Sequence, residues 1–341
     1  MDKRTMMLDF LEGSKPAVLV PAGFFLHFGP GYERGQKAVD KHLEFFHATG
    51  MDFVKIQYEQ VYPAIPEIRS PRDWARMPSY GLDFYEEQLK VVEGLVKAAK
   101  SEALVVITLY SPFMCALRTT SETLLTRHIQ EAPQAVKVGM QAITASLMGF
   151  VKACIRLGVD GFYTSSQCVE SGRWTDPKLF DECIRPYDLA LMEEANANCP
   201  FNILHICDFQ RPYDDISRFV DYPGQVVNSS LEVGGQKLSA KDVAALFGRP
   251  FMGGLERKGV IVNGTKEEIR AAVKAALADA PERFILAADC TVPGETPWEN
   301  LRTAIETAHE RPRAWNVAVG FRPSSLIQRL VAPRRSPRRR A

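Results

Sequence analysis

Eight short runs rich in β-branched and aromatic residues recur along this chain, each followed by a stretch of helical periodicity. That alternation constrains the fold more than any other feature of the sequence. The runs are AVLVPA (17 to 22), DFVKIQY (52 to 58), ALVVITLY (103 to 110), GFYTSS (161 to 166), FNILHIC (201 to 207), GQVVNSS (224 to 230), PFMGGL (250 to 255) and RFILAAD (283 to 289). Between them lie helical segments such as YEEQLKVVEGLVKAAKS, AVKVGMQAITASLMGFVKACIRLG, DPKLFDECIRPYDLALMEEANA and TKEEIRAAVKAALADA, with Gly or Asn near several C-terminal ends. Eight strands each followed by a helix close into a (β/α)8 TIM barrel. With 341 residues, 46% of them hydrophobic, the chain can bury one large core, so a single barrel domain over residues 1–315 is predicted. Residues 316–341 end in PRRSPRRRA, which buries too little apolar surface to offset chain entropy, and are expected to be a disordered basic tail. A solvated end is the plainer reading of that tail than a dock for an acidic partner.

Charge and cysteine usage narrow the class. Lys plus Arg is 42 against 41 for Asp plus Glu, so no overall field would hold a nucleic acid or an anionic membrane. No stretch of about 18 apolar residues is expected to exist for a membrane span, and MDKRTMMLDFLEGSKP lacks a signal-peptide core; cytoplasmic location is the expectation. Seven scattered cysteines in a long chain do not form a disulfide framework. Cys115, Cys154, Cys183 and Cys199 are read as packing residues.

The chemistry-bearing pattern is LHICD. His205 and Cys207 stand two apart at a strand end, so both side chains point to one face and can reach one ion. Cys290, in DCTVPGETPWEN just after the eighth strand, lies at the same level of a barrel, where strand ends line the active-site mouth. Two thiolates and an imidazole suit zinc, and three protein ligands with an open position mark a catalytic site. H-x-C by itself is common by chance, and a strand-end cysteine is usually only small and buried; the distant Cys290 is what strengthens the pattern.

Over roughly residues 5 to 310 the chain resembles the uroporphyrinogen decarboxylases and their relatives, the zinc-dependent methyltransferases that move methyl groups between corrinoid proteins and thiols. The matching segments are GMDFVKIQYE, LYSPFMCAL, GVDGFYTSSQ with DPKLFDECIRPY, LHICD and LAADCTVPGETPWENLRTAIETAHE. Within that superfamily the decarboxylases carry an early arginine pair that grips the substrate's carboxylates. Here the stretch reads VPAGFFLHFGPGYERG, with no arginine before Arg34. Where decarboxylases have His near the last strand, this chain reads Ala287, Ala288, Asp289, Cys290.

The resemblance therefore implies the methyltransferase branch. Zn2+ would be held by His205, Cys207 and Cys290, with methylcobalamin brought by a corrinoid protein and a small-molecule acceptor, either a thiol or a folate-type nitrogen. It also implies Glu59 as a fourth zinc ligand or substrate contact, and Ser166, Gln167 and Glu170 as pocket residues. His27 is a candidate proton carrier, and Arg257 with Lys258 a candidate anion contact on the loop after a late strand. Homodimerisation, found in many relatives, is left open by the helix faces. The other readings are a decarboxylase or lyase acting on a smaller carboxylate, and a non-catalytic corrinoid-binding barrel. The second sits badly with two buried thiolates, which are costly without a metal.

Overall fold

In the computed structural model, which describes residues 2–13, 19–167, 171–174, 176 and 178–310, the late runs all become strands of one parallel sheet. They are β1 (Phe53–Ile56), β2 (Leu104–Tyr110), β3 (Gly161–Gln167), β4 (Ile203–Cys207), β5 (Val226–Ser229), β8 (Phe251–Leu255) and β9 (Phe284–Ala288). Two further short strands, β6 (Glu232–Val233) and β7 (Gln236–Lys237), make a separate antiparallel hairpin. The seven-stranded sheet runs β1-β2-β3-β4-β5-β8-β9, so every neighbour in space is also the next long strand in sequence. Nearly every strand residue is buried, which is why these segments read as continuous apolar runs and not as alternating ones.

The first run behaves differently. Of residues 17 to 22, residues 17 and 18 lie outside the described residues, and only Ala22 makes a bridge, parallel to Leu286 of β9. Backbone bonds tie this segment to both sheet edges. Gly23 N–H donates to Leu286 O (3.0 Å), Leu286 N–H to Pro21 O (2.8 Å), and Asp52 N–H, just before β1, to Ala22 O (3.0 Å). The sheet is thus curled until its edges meet, giving a barrel-like α/β fold in which the eighth position is one bridge wide. Pro21 has no N–H to extend a ladder, and a side chain at Gly23 would place Cβ 2.8 Å from the Phe53 ring.

Helices cover the outside. The segment expected as one helix over 176 to 197 breaks into Lys178–Cys183 and Arg185–Asn198, because Pro186 fits only a first helical turn. Helix Pro133–Leu157 is long and apolar enough to cross a membrane by length and composition, which the sequence reading passed over. Half of its most apolar window is buried in the fold, and Val136, Met140, Ile143, Leu147, Phe150 and Cys154 form its inward stripe. The β6–β7 hairpin was also missed, although its signal is legible. Gly234 and Gly235 both sit at positive φ (59° and 68°), as a two-residue turn of this kind requires. One hydrophobic core runs from Met7 to Ala308, and the proposed tail, 316–341, lies outside the described residues.

Candidate metal centre and cavity

Alternation along the strands decides which side chains face the interior of the barrel. On β4, His205 and Cys207 face inward, and the register with β3 sets Ser165 beside His205 and Gln167 beside Cys207. Cys290 follows β9, fixed on both sides by backbone bonds: Asp289 N–H to Leu255 O (2.9 Å) and Val292 N–H to Phe25 O (2.8 Å). These placements bring His205 Nε2 to 3.4 Å from Cys290 Sγ and the two sulfurs to 3.7 Å, with all three ligand atoms within 4.8 Å of one another. Zinc bonds of about 2.3 Å to sulfur and about 2.0 Å to nitrogen, at tetrahedral angles, would set sulfur–sulfur and sulfur–nitrogen separations of about 3.8 and about 3.5 Å. The three side chains, all buried, therefore fit three corners of such a site.

The electrostatics agree with that use. The two thiols share a proton, which pushes Cys290 well below and Cys207 well above the ordinary thiol range; burial adds to the rise at Cys207, while His205 and Arg257 favour the Cys290 thiolate. His205 Nδ1 is buried with no partner among the described residues.

Neighbouring side chains hold the ligands in place. The Tyr163 ring stacks on His205 with centroids 4.7 Å apart, and its hydroxyl donates to Asn228 Oδ1 (2.7 Å). The Asn228 amide in turn donates to Met252 O (2.9 Å) and Ala288 O (3.1 Å), so one fully buried asparagine joins β3, β5, β8 and β9 close to Cys290. Gln167 Nε2 donates toward Cys207 Sγ at 3.4 Å. Such supporting contacts set ligand orientation as much as the ligands themselves do. Above the cluster opens a cavity of about 490 Å³ at the C-terminal ends of the strands, with His205, Cys207 and Cys290 in its wall.

The sequence profile described as uroporphyrinogen decarboxylase (URO-D) matches residues 43–311. The chain belongs to the uroporphyrinogen decarboxylase family. No curated protein matches it in sequence. Among solved structures it is similar to a methyltransferase from Methanosarcina mazei, at 16% identity, covering 91% of this chain and 99% of that one, with a TM-score of 0.76. It is also similar to a B12-independent methionine synthase from a Shewanella species, at 15% identity, covering 87% and 94%, with a TM-score of 0.51. At such identities the likeness is one of fold.

In this URO-D family member the structure brings together two residues that the sequence singled out separately. His27 Nδ1 lies 2.7 Å from Glu59 Oε1 near the cavity mouth. Glu59 is not part of the three-residue cluster; its carboxylate is engaged by His27 instead. Gln167 is on the cavity wall, but Ser166 is on the other face of β3, fully buried with its hydroxyl unpartnered among the described residues, and the serine that lines the cavity is Ser165. A one-residue offset along a strand reverses the face, so Ser166 points away from the cavity that Ser165 lines. Glu170 lies outside the described residues.

Arg257 lines the cavity, yet its Nη1 is 2.6 Å from Asp208 Oδ1 and 3.6 Å from Asp289 Oδ2, so two carboxylates already compensate its charge. Burial raises the Asp289 carboxyl to about 6, against the opposing Arg257 contacts. Lys258 stands exposed at the rim.

Sequence reasoning missed Lys55 on β1 and Gln57 just after it, which both line the cavity. Lys55 Nζ donates to Gln57 Oε1 (2.9 Å) and lies over the rings of Phe25 (4.6 Å) and Tyr163 (4.8 Å). Burial lowers its ammonium to about 7, with Cys290, Glu59 and Cys207 opposing the fall. The signal was present in DFVKIQY: a lysine sharing the inward face with Phe53 in an otherwise apolar strand is an anomaly that asks for a function.

Proposed function

We propose that this chain is a zinc-dependent methyltransferase that moves a methyl group from a corrinoid donor to a thiol or folate-type acceptor. The observation that carries the reading is the triangle of His205 Nε2, Cys207 Sγ and Cys290 Sγ, with separations of a tetrahedral thiolate–imidazole site, in the wall of the cavity. The missing arginine pair in VPAGFFLHFGPGYERG speaks against a polycarboxylate substrate. The names of the two similar structures, a methyltransferase and a methionine synthase, support methyl transfer.

Bound zinc would lower the pKa of an acceptor thiol, making a thiolate available near neutral pH. The protein's own residues do the rest. His205, Cys207 and Cys290 would hold the ion in the cavity wall, and their two thiolates would cancel the charge of a divalent metal, which would keep an incoming sulfur electron-rich. Tyr163 and Asn228 hold the imidazole and the β9 end in register, so that acceptor and donor meet in line. His27, with Glu59 on its ring nitrogen, is placed at the mouth to hold or release the acceptor's proton. A separate corrinoid protein would present the donor to that mouth, where Phe209 is 58% exposed on the rim.

Two measurements test this. Metal analysis of the purified protein should give about one zinc per chain, and Cys290→Ser should lower it. Incubation with methylcobalamin and a panel of thiols should change the cobalt absorption spectrum as the methyl group leaves. No change with any thiol or folate would move the assignment to a decarboxylase or lyase of small carboxylates.

A further inference from the structure

Beside the metal cavity lies a second, smaller chamber of about 150 Å³ whose wall is mostly aromatic and sulfur-bearing: Tyr58, Tyr62 and Tyr110, with Val61, Met114 and Cys115. His27, Tyr110, Met114 and Arg118 belong to both walls, so the chamber adjoins the cavity. Its rings are held by their neighbours. Tyr58 meets Tyr110 and Phe150 edge-on, each pair with centroids 5.5 Å apart, and the Tyr62 hydroxyl bonds that of Tyr85 at 2.7 Å. A wall formed before a ligand arrives removes part of the ordering cost of binding. Of the charged residues in it, Glu59 is engaged by His27, and Arg118 stands exposed to water. The rest of the wall carries no charge.

We infer that this chamber is the subsite for a neutral, ring-sized apolar arm carried by the methyl acceptor. The inference rests on the methyl-transfer reading and narrows its acceptor. A volume of about 150 Å³ is that of an engineered cavity that takes up benzene, so one six-membered ring fills it. An ionised arm would give up its hydration to a wall of rings and sulfurs, whereas a neutral ring gains edge-on aromatic contacts and the adaptable, polarizable Met114. The reach is also right. The strand register sets Tyr110 beside Ser165 and Ser165 beside His205, so Tyr110 and His205 stand two strand spacings apart, about 10 Å. An acceptor whose ring is one or two carbons from its reacting atom spans from the metal centre to the chamber.

The competing reading is a crevice that holds only water, and a matched pair of neutral thiols separates the two. Calorimetric titration of the purified protein with benzyl mercaptan and with ethanethiol should show the ring-bearing thiol binding roughly 10-fold tighter or more, as expected for burial of one ring. Filling the chamber should remove that advantage. Val61 is 55% exposed and so has room for a larger side chain, Cys115 is buried in the chamber wall, and neither lines the metal cavity. Val61→Trp and Cys115→Met should each bring the two affinities toward one another, with a melting curve to check that the variants fold. A crystal structure of the parent with benzyl mercaptan should place the ring against Tyr110 and Met114.

Equal affinities in the parent, an advantage that survives in both variants, or a ring bound outside the chamber would each overturn the inference. Because these are measurements of equilibrium binding, ring capture without methyl transfer from methylcobalamin to either thiol would sink the proposed reaction and leave the subsite standing. Methyl transfer to both thiols with no preference for the ring would do the reverse.

Discussion

The six cysteines whose placement is described are all buried, yet they fall into two groups with opposite chemistry. Cys115, Cys154, Cys183 and Cys199 are surrounded by the apolar core, and burial raises each thiol, to about 11 at Cys183 and Cys199 and further at Cys115 and Cys154. Cys207 and Cys290 are buried too, at 4% and 6% exposure, but they face each other at 3.7 Å with an imidazole alongside, and Cys290 is pushed down. Burial alone therefore does not silence a thiol. What separates the groups is whether the sequence places a second ionisable group within bonding distance of the sulfur.

The sharpest way to break that contrast is to remove one member of the pair. Cys207→Ser should lower zinc content and methyl-transfer rate together, by more than the roughly 10- to 100-fold that loss of a group merely supporting a ligand costs. A variant that keeps its zinc and its rate would place Cys207 with the packing cysteines. In zinc-stripped protein at neutral pH, iodoacetamide should label Cys290 first and leave Cys115 and Cys154 untouched, and added zinc should protect Cys290. Peptide mapping that found uniform labelling would dissolve the two groups into one.

The histidines repeat the comparison, and its outcome is a pH dependence of stability. His205 leaves Nδ1 without a partner among the described residues and turns Nε2 toward Cys290. His42, equally buried, has both ring nitrogens in use: Nδ1 bonds Ala38 O at 2.7 Å, and Nε2 accepts from Gln57 N–H at 3.1 Å. Only the neutral ring can make both bonds, and burial lowers its pKa to about 4.

A folded value below the unfolded one means the contribution is fully present above pH 6.5 and is lost as pH falls from there to about 4. The difference amounts to about 3 kcal/mol across that window. Denaturant melts of the parent against His42→Gln should show the parent's advantage shrinking over that range. An advantage that stays constant would mean the ring is not held neutral.

How much of this was legible beforehand follows from the same distinction between local pattern and assembled geometry. Seven strands and the His205–Cys207 pair were readable because strand period and residue type are local facts. Cys290 could be added only because a barrel brings all strand ends to one level. Ser166 was named from the family resemblance, and because both faces of a parallel strand are buried, hydropathy could not show that Ser165 and Gln167, and not Ser166, line the cavity. Lys55 was overlooked because its burial over the Phe25 and Tyr163 rings is a property of the packed cavity. The His27–Glu59 pair needed the coordinates as well, for the two residues stand 32 positions apart on separate loops.

The smallest expected effect tests the packing side of the contrast. Cys154 is fully buried on the inward stripe of helix Pro133–Leu157, and its backbone carbonyl helps close the helix by accepting from Gly158 N–H at 3.1 Å. That bond is made by the main chain and survives any side-chain change. Cys154→Ala deletes one sulfur from the core and should cost on the order of 1 kcal/mol, with the helix and the metal centre intact. Cys154→Ser should cost more than Cys154→Ala despite its closer size, because the hydroxyl enters an apolar setting that a thiol tolerates. Denaturant melts and zinc analysis of both variants check this. An alanine variant that lost zinc, or a serine variant as stable as the parent, would show that the residue belongs to the chemistry and not to the core.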